Sequence, residues 1–165
     1  MDEAVFIDSM HKRACDLVIF HTGSNMWSPQ GHPGWMRTAI DRTRRALGPD
    51  VPILILSPPD FATRKLHGFL EGHPRMEQRT QEKRQAAQEL KLAFWDFYAA
   101  MRGRGSVLQW SKKGVARPDF IHFKPRFHDI MWGNLARAMM KALSERQLSP
   151  KAKPSPASFI KITDE

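Results

Sequence analysis

Apolar residues in this chain fall into short unbroken runs separated by longer amphipathic stretches. Asp16-Leu17-Val18-Ile19-Phe20 and Val51-Pro52-Ile53-Leu54-Ile55-Leu56 are nearly all apolar and rich in β-branched residues. Runs of that length and composition suit strands buried on both faces. Ala93-Phe94-Trp95 is a third, shorter candidate strand, with Asp96 at its end. Between these runs the period changes to that of a helix. Residues 3–13 place Phe6, Ile7 and Met10 on one side of a short helix. Pro33-Gly34 opens a helix through about Leu47, with Trp35, Ile40 and Leu47 facing inward, and Gly48-Pro49 ends it. A helix from about Pro74 to Leu90 turns Met76, Ala86, Ala87 and Leu90 inward. Phe97 to Met101 reads as a helical turn and Gly103 to Gly114 as a surface loop containing Trp110. The last helix runs from near Pro125 to about Leu148, with Ile130, Leu135, Met139 and Leu143 as its apolar face.

Alternating helix and strand implies an α/β sandwich with a parallel sheet. Three strands make a thin parallel sheet, since sheets commonly carry about five. The shortage predicts that elements of the fold are missing from this sequence. Residues 1–148 read as one domain, and 149–165, with three prolines, three lysines and three serines, as a disordered tail. No apolar run approaches the ~20 residues that span a bilayer, so no transmembrane segment is expected. The acidic start, Met1-Asp2-Glu3-Ala4, lacks the pattern of a signal peptide. The single Cys15 excludes an internal disulfide framework and leaves the redox compartment open. A net charge of +9 favours anionic partners. The basic residues are scattered, however, with no aromatic interleaving or recognition motif, so nucleic acid is not expected. His21, His32, His67, His73 and His128 do not fall into ligand spacing, so no metal is expected. No glycine-rich phosphate loop points to a nucleotide cofactor.

In open α/β sheets, reactive groups gather at the carboxyl ends of the strands. The polar clusters of this chain stand there: Gly23-Ser24-Asn25 after the first run, Pro58-Pro59-Asp60 after the second, Asp96 after the third. Pro118-Asp119-Phe120-Ile121-His122 precedes the last helix. An Asp three residues before a His can reach the near ring nitrogen and leave the far one free to take a proton, which is the base-and-orienter half of a hydrolytic triad. The same Asp could instead simply cap the helix. An Asn amide at a strand end can donate to a developing oxyanion, or simply end the strand in a turn. Asp60 and Asp96 line a cleft or cap helices. Trp27, Trp35 and Trp110 stack on a sugar ring or pack in the core.

Taken in order along the chain, Gly-x-Asn at Gly23–Asn25, Pro-Pro-Asp at Pro58–Asp60 and Asp-x-x-His at Asp119–His122 resemble the SGNH/GDSL hydrolase superfamily. The segments Ile55-Leu56-Ser57-Pro58-Pro59-Asp60 and Ala93-Phe94-Trp95-Asp96 look most like the branch of peptidoglycan O-acetylesterases and related carbohydrate esterases. The resemblance covers roughly residues 14–145. It implies a three-layer α/β/α fold with a flavodoxin-like parallel sheet, no cofactor, and ester hydrolysis through an acyl-serine. It implies His122 as general base, Asp119 as its orienter, and Asn25 with Gly23 in the oxyanion hole. Its substrate would be an O-acylated carbohydrate or another small ester, and its setting the periplasm or cell envelope. Met26 departs from the acidic residue usual after the Asn.

The family's Gly-Asp-Ser block, which carries the nucleophile, has no counterpart here. Asp8-Ser9 resembles it superficially, but Ile7 replaces the Gly. Only six residues separate Ser9 from the first strand, whereas a parallel crossover needs at least ~10–12. Ser9 therefore reads as a helix residue, and the nucleophile is unassigned. The expectation is the rear part of such an esterase, inactive alone, whose first strands come from a missing N-terminal segment or a second chain. A noncatalytic remnant that holds a glycan or partner is the alternative.

Overall fold

A computed structural model of the protein describes residues 3–13, 15–22, 32–64, 68 and 70–148. Gly23, Asn25 and the 149–165 tail lie outside the described residues. In chain order the elements are α1 (Glu3–His11), β1 (Val18–His21), α2 (His32–Leu47), β2 (Ile53–Leu56), β3 (Ala62–Arg64), β4 (Leu70–Gly72), α3 (Arg75–Glu89), β5 (Ala93–Trp95), α4 (Phe97–Ala100), α5 (Ser106–Lys112) and α6 (Pro125–Leu148).

The main sheet has the order β1-β2-β5 and is parallel throughout, with Val18 beside Ile53, His21 beside Leu56, and Leu56 beside Trp95. Strand residues alternate between faces, and here the alternation builds two cores. Leu54, Leu56 and Trp95 turn to one side and pack with Phe97, Met101, Phe127, Met131 and Leu135. Ile53, Ile55 and Phe94 turn to the other and meet Met36, Ile40, Ala86 and Ala87. Helices α4 and α6 cover the first face and α2 and α3 the second, giving three α/β/α layers. Among the described residues no helix is long and apolar enough to cross a membrane.

Burial on both faces holds for β2 but not for β1. All four β2 residues are buried, whereas β1 alternates between half-buried and exposed, with Ile19 42% accessible. The cause is position: β2 is central, and β1 is an edge with a single strand neighbour among the described residues. Two helix faces also differ from the apolar pattern. In α2 the inward residue is Met36 rather than its neighbour Trp35, because Met36, Ile40 and Thr43 share one stripe. In α6 the stripe is Phe127, Met131, Leu135 and Ala138, leaving Leu143 exposed.

The segment 103–114 is not a loop. It holds α5, whose Val107 is fully buried. Between β2 and α3 the chain forms an antiparallel hairpin, β3–β4, with Ala62 beside Gly72. Gly72 is required there, since a Cβ at this position would sit 2.3 Å from the backbone nitrogen of Gly105.

Ile55 is fully buried in the central strand, so I55A should cost about 3 kcal/mol through lost transfer and an unfilled cavity. I19A at the exposed edge should cost under about 1 kcal/mol. Urea unfolding of both variants checks the difference, and equal losses would contradict the edge assignment.

Candidate active site

The Asp119–His122 turn is held by its neighbours. Ala116 and Phe123 form an antiparallel bridge, the Arg117 amide donates to the His122 carbonyl (2.8 Å), and the Lys124 amide donates to the Val115 carbonyl (2.9 Å). The Ala62 amide of β3 donates to the Phe120 carbonyl (3.1 Å), tying the turn to the hairpin. Phe120 has φ +58°, a left-handed conformation that is uncommon for an aromatic residue. Within this turn Asp119 acts twice. Its Oδ1 accepts from the amides of Ile121 (3.0 Å) and His122 (2.9 Å), while its Oδ2 lies 3.0 Å from His122 Nδ1. The backbone amides of His122 and Ile121, then the His122 ring, hold the Asp119 carboxyl down to about 2. An ionised carboxylate accepts only, so Nδ1 carries the proton in the neutral ring and Nε2 presents its lone pair. Both side chains are exposed.

The hairpin that holds the turn follows the carboxyl end of β2. His21, the last residue of β1, stacks on Phe97 (centroids 4.7 Å apart) and meets the edge of Trp132 of α6 (5.7 Å). Phe123 stacks on Phe127 at 3.7 Å, and Phe127 in turn approaches Phe97 at 5.9 Å, joining the turn to the core. His21 keeps a solvent-exposed edge. Burial nevertheless lowers its pKa to about 4, and the charges of Lys83 and His128 push the same way.

Two successive cations of α3 bind the ends of all three strands. Lys83 is fully buried, and its Nζ donates to the Leu56 carbonyl at the end of β2 (2.8 Å) and to the carbonyl of Thr22, just past β1. Arg84 pairs with Asp96 at the end of β5. Ser57, the residue after β2, donates from Oγ to Asp96 Oδ1 (3.1 Å) and accepts from the Tyr98 amide (2.9 Å). Burial, then the nearby Arg79 charge, lowers the Lys83 pKa to about 7.

Asp60 and Asp96 both serve as helix caps. Asp60 is fully buried; its Oδ2 accepts from the Val107 amide (3.0 Å) and the Ser106 hydroxyl (3.4 Å) at the start of α5. Burial raises its pKa against those bonds. Asp96 accepts from the Ala99 amide (2.8 Å) in α4. Trp110 packs on Phe127 (5.3 Å) and donates from Nε1 to the Met101 carbonyl (3.1 Å), whereas Trp35 is exposed on α2 and Trp27 lies outside the described residues.

Ser9 is exposed on α1, which packs on α2 in the layer opposite α6. The hydroxyls of Ser57, Ser106, Ser111 and Ser144 are bonded to partners other than His122. The structure thus brings Asp119 and His122 together and places Ser9 in a different layer. Lys83 and Arg84 escaped the sequence reading. The available signal was Lys83's place on the inward stripe of α3 with Met76, Thr80 and Ala87.

No family model and no curated protein matches the chain. A solved structure of a peptidoglycan O-acetylesterase is similar, with a TM-score of 0.73 and 22% identity, over 86% of this chain and 42% of that one. The chain therefore spans less than half the length of that neighbour. At this identity the likeness shows the fold alone. The class it defines is a three-layer α/β protein with an esterase-like fold.

Two outcomes follow from these charges. An Asp119 carboxyl held near 2 stays ionised well into acid, so its side-chain carboxyl carbon should titrate in NMR with a midpoint near 2; a midpoint near 4 would contradict this. Lys83 loses its proton near 7 when folded and near its ordinary 10.5 when unfolded. Between those values the unfolded state binds the extra proton, so this group makes stability rise with pH, by up to ~1.4 kcal/mol per unit. Urea unfolding of wild type and K83M from pH 6.5 to 9.5 should show that slope only in the wild type.

Proposed function

We propose that the protein is an ester hydrolase of SGNH type acting on an O-acylated carbohydrate. The observation that carries the reading is the 3.0 Å contact between Asp119 Oδ2 and His122 Nδ1, in a turn bonded to the hairpin that follows the parallel strand β2. Its support from outside the chain is the fold shared with a peptidoglycan O-acetylesterase.

In this scheme His122 Nε2 takes the proton of a serine hydroxyl as its oxygen attacks the ester carbonyl. The tetrahedral oxyanion receives hydrogen bonds from the Asn25 amide and a backbone N–H at Gly23. As the C–O bond to the sugar breaks, the imidazolium returns its proton to the leaving alkoxide. Water, activated by the same nitrogen, then releases the acid and restores the serine. Asp119 keeps the ring in the required tautomer and stabilises its charged form.

The serine belongs, in this reading, to a strand that pairs with the outer edge of β1, provided by a longer polypeptide or a second chain. The outer edge of β1, which has no strand neighbour among the described residues, favours this. Ile19 (42% accessible) and Trp132 (41%) stand exposed beside it, and Met140 and Leu143 extend the apolar surface along α6. Exposed apolar side chains next to a strand edge with no neighbour among the described residues favour a strand partner.

Positioned general bases contribute about 10²–10⁴-fold in rate. The full natural polypeptide should hydrolyse p-nitrophenyl acetate, with H122A slowing kcat/KM at least a hundredfold and D119N by a comparable factor. Turnover unchanged in H122A would overturn the reading.

A further inference from the structure

The buried Asp60 takes no part in the proton transfers above, yet the frame of the Asp119–His122 turn converges on it. The turn is held from two sides. On one side the Ala62 amide, at the start of β3, donates to the Phe120 carbonyl (3.1 Å). On the other, the Trp110 carbonyl of α5 accepts from the amides of Val115 (2.9 Å) and Ala116 (3.1 Å), and Ala116 pairs with Phe123. The Arg117 amide then closes the turn on the His122 carbonyl (2.8 Å). Between these holds Phe120 keeps its φ of +58°. A strained backbone of this kind persists only where its surroundings impose it.

Both holds start from one side chain. Asp60 lies two residues before Ala62, and its Oδ2 accepts from the Val107 amide (3.0 Å) and the Ser106 hydroxyl (3.4 Å) at the start of α5. Its own amide donates to Met101 Sδ (3.4 Å), which seats it against the core. Helix α5 has seven residues, and its N-cap Gly105 has no side chain to close the first turn. Isolated helices this short are marginal in water, so the start of α5 depends on the Asp60 oxygen. Val107 packs with Ala62 and Ala116 in one buried cluster, and Phe120 and Phe123 lie against it.

We propose that Asp60 is a positioning residue for the His122 base: by clasping the start of α5 to the approach of β3, it fixes the two holds between which the Asp119–His122 turn is formed. The inference rests on the reading that His122 is the base of an esterase. A base displaced by about 1 Å can cost a hundredfold in rate although every reacting group remains.

The test removes the acceptor. In the full natural polypeptide, D60L keeps a side chain of similar bulk and loses both bonds to α5. Asp119 owes its low pKa first to the His122 and Ile121 amides, so a loosened turn should raise its carboxyl midpoint from about 2 towards the ordinary 3.8, read by carbon NMR. A cap of purely structural effect would lower stability and leave that midpoint alone. D60L should also lower kcat on p-nitrophenyl acetate about tenfold or more, with KM changed less than about threefold. D60N keeps an acceptor for the Val107 amide and should hold the midpoint near 2. A folded D60L protein with the Asp119 midpoint still near 2, or with wild-type kcat, overturns the proposal. Should D60L not fold, amide exchange in the wild type decides. Val107, Ala62 and His122 should open together, with one free energy and one urea slope; Val107 opening alone while the other two stay closed overturns the proposal. Wild-type turnover in H122A would instead remove the esterase reading, and the Asp119 midpoint would still report whether Asp60 holds the turn.

Discussion

The carboxyl edge of the sheet depends on one arrangement, the two neighbouring cations that α3 sends into it. Parallel strands end with carbonyls that no further strand residue pairs, and a buried carbonyl without a donor costs free energy. Lys83 satisfies such groups just past β1 and at the end of β2, and Arg84 reaches Asp96, the residue after β5. Asp96 is in turn bonded to Ser57 and caps α4. One helix thus gathers three strand ends and a following helix into a single network. The surface above that network is where an α/β protein of this kind places its chemistry.

The Asp-His turn solves a different problem with local means. Its carboxylate forms the turn through two backbone amides before it reaches the imidazole. The same amides keep it ionised, so shape and charge come from one group. The turn is then fastened at both ends, to β3 through Phe120 and to the core through the Phe123–Phe127 stack. The base proposed at His122 must keep one tautomer, and this rigidity serves that role because the carboxylate is held against the ring.

The parts of this fold that could be read along the chain are those whose signal is local and repeated. The run at Ile53–Leu56 has one physical meaning in a layered protein, and it is the fully buried central strand. The Asp119–His122 spacing is equally local, since four residues determine whether the carboxylate meets the ring. The hairpin was invisible because Ala62–Arg64 and Leu70–Gly72 are three residues each, too short to show a period. Helix α5 is seven residues between glycines, and it owes its place to Asp60, which is 46 residues before Ser106 and bonded to its start. Lys83 is hard to see in the sequence because a lysine reads as surface by type; only its register with Met76 and Ala87 shows otherwise. Burial of β1 departs from its apolar run for a related reason. An apolar run reports what a strand can bury, and its place in the sheet decides what it does bury.

The central claim is that His122, oriented by Asp119, activates a serine for attack on an ester. Labelling of the full natural polypeptide with a serine-directed fluorophosphonate tests it most directly, because the adduct forms only on an activated hydroxyl and mass spectrometry locates it. The account predicts an adduct on one serine other than Ser9, formed at least a hundredfold more slowly in H122A. Labelling at the same rate in both proteins, or an adduct confined to Ser9, would contradict it.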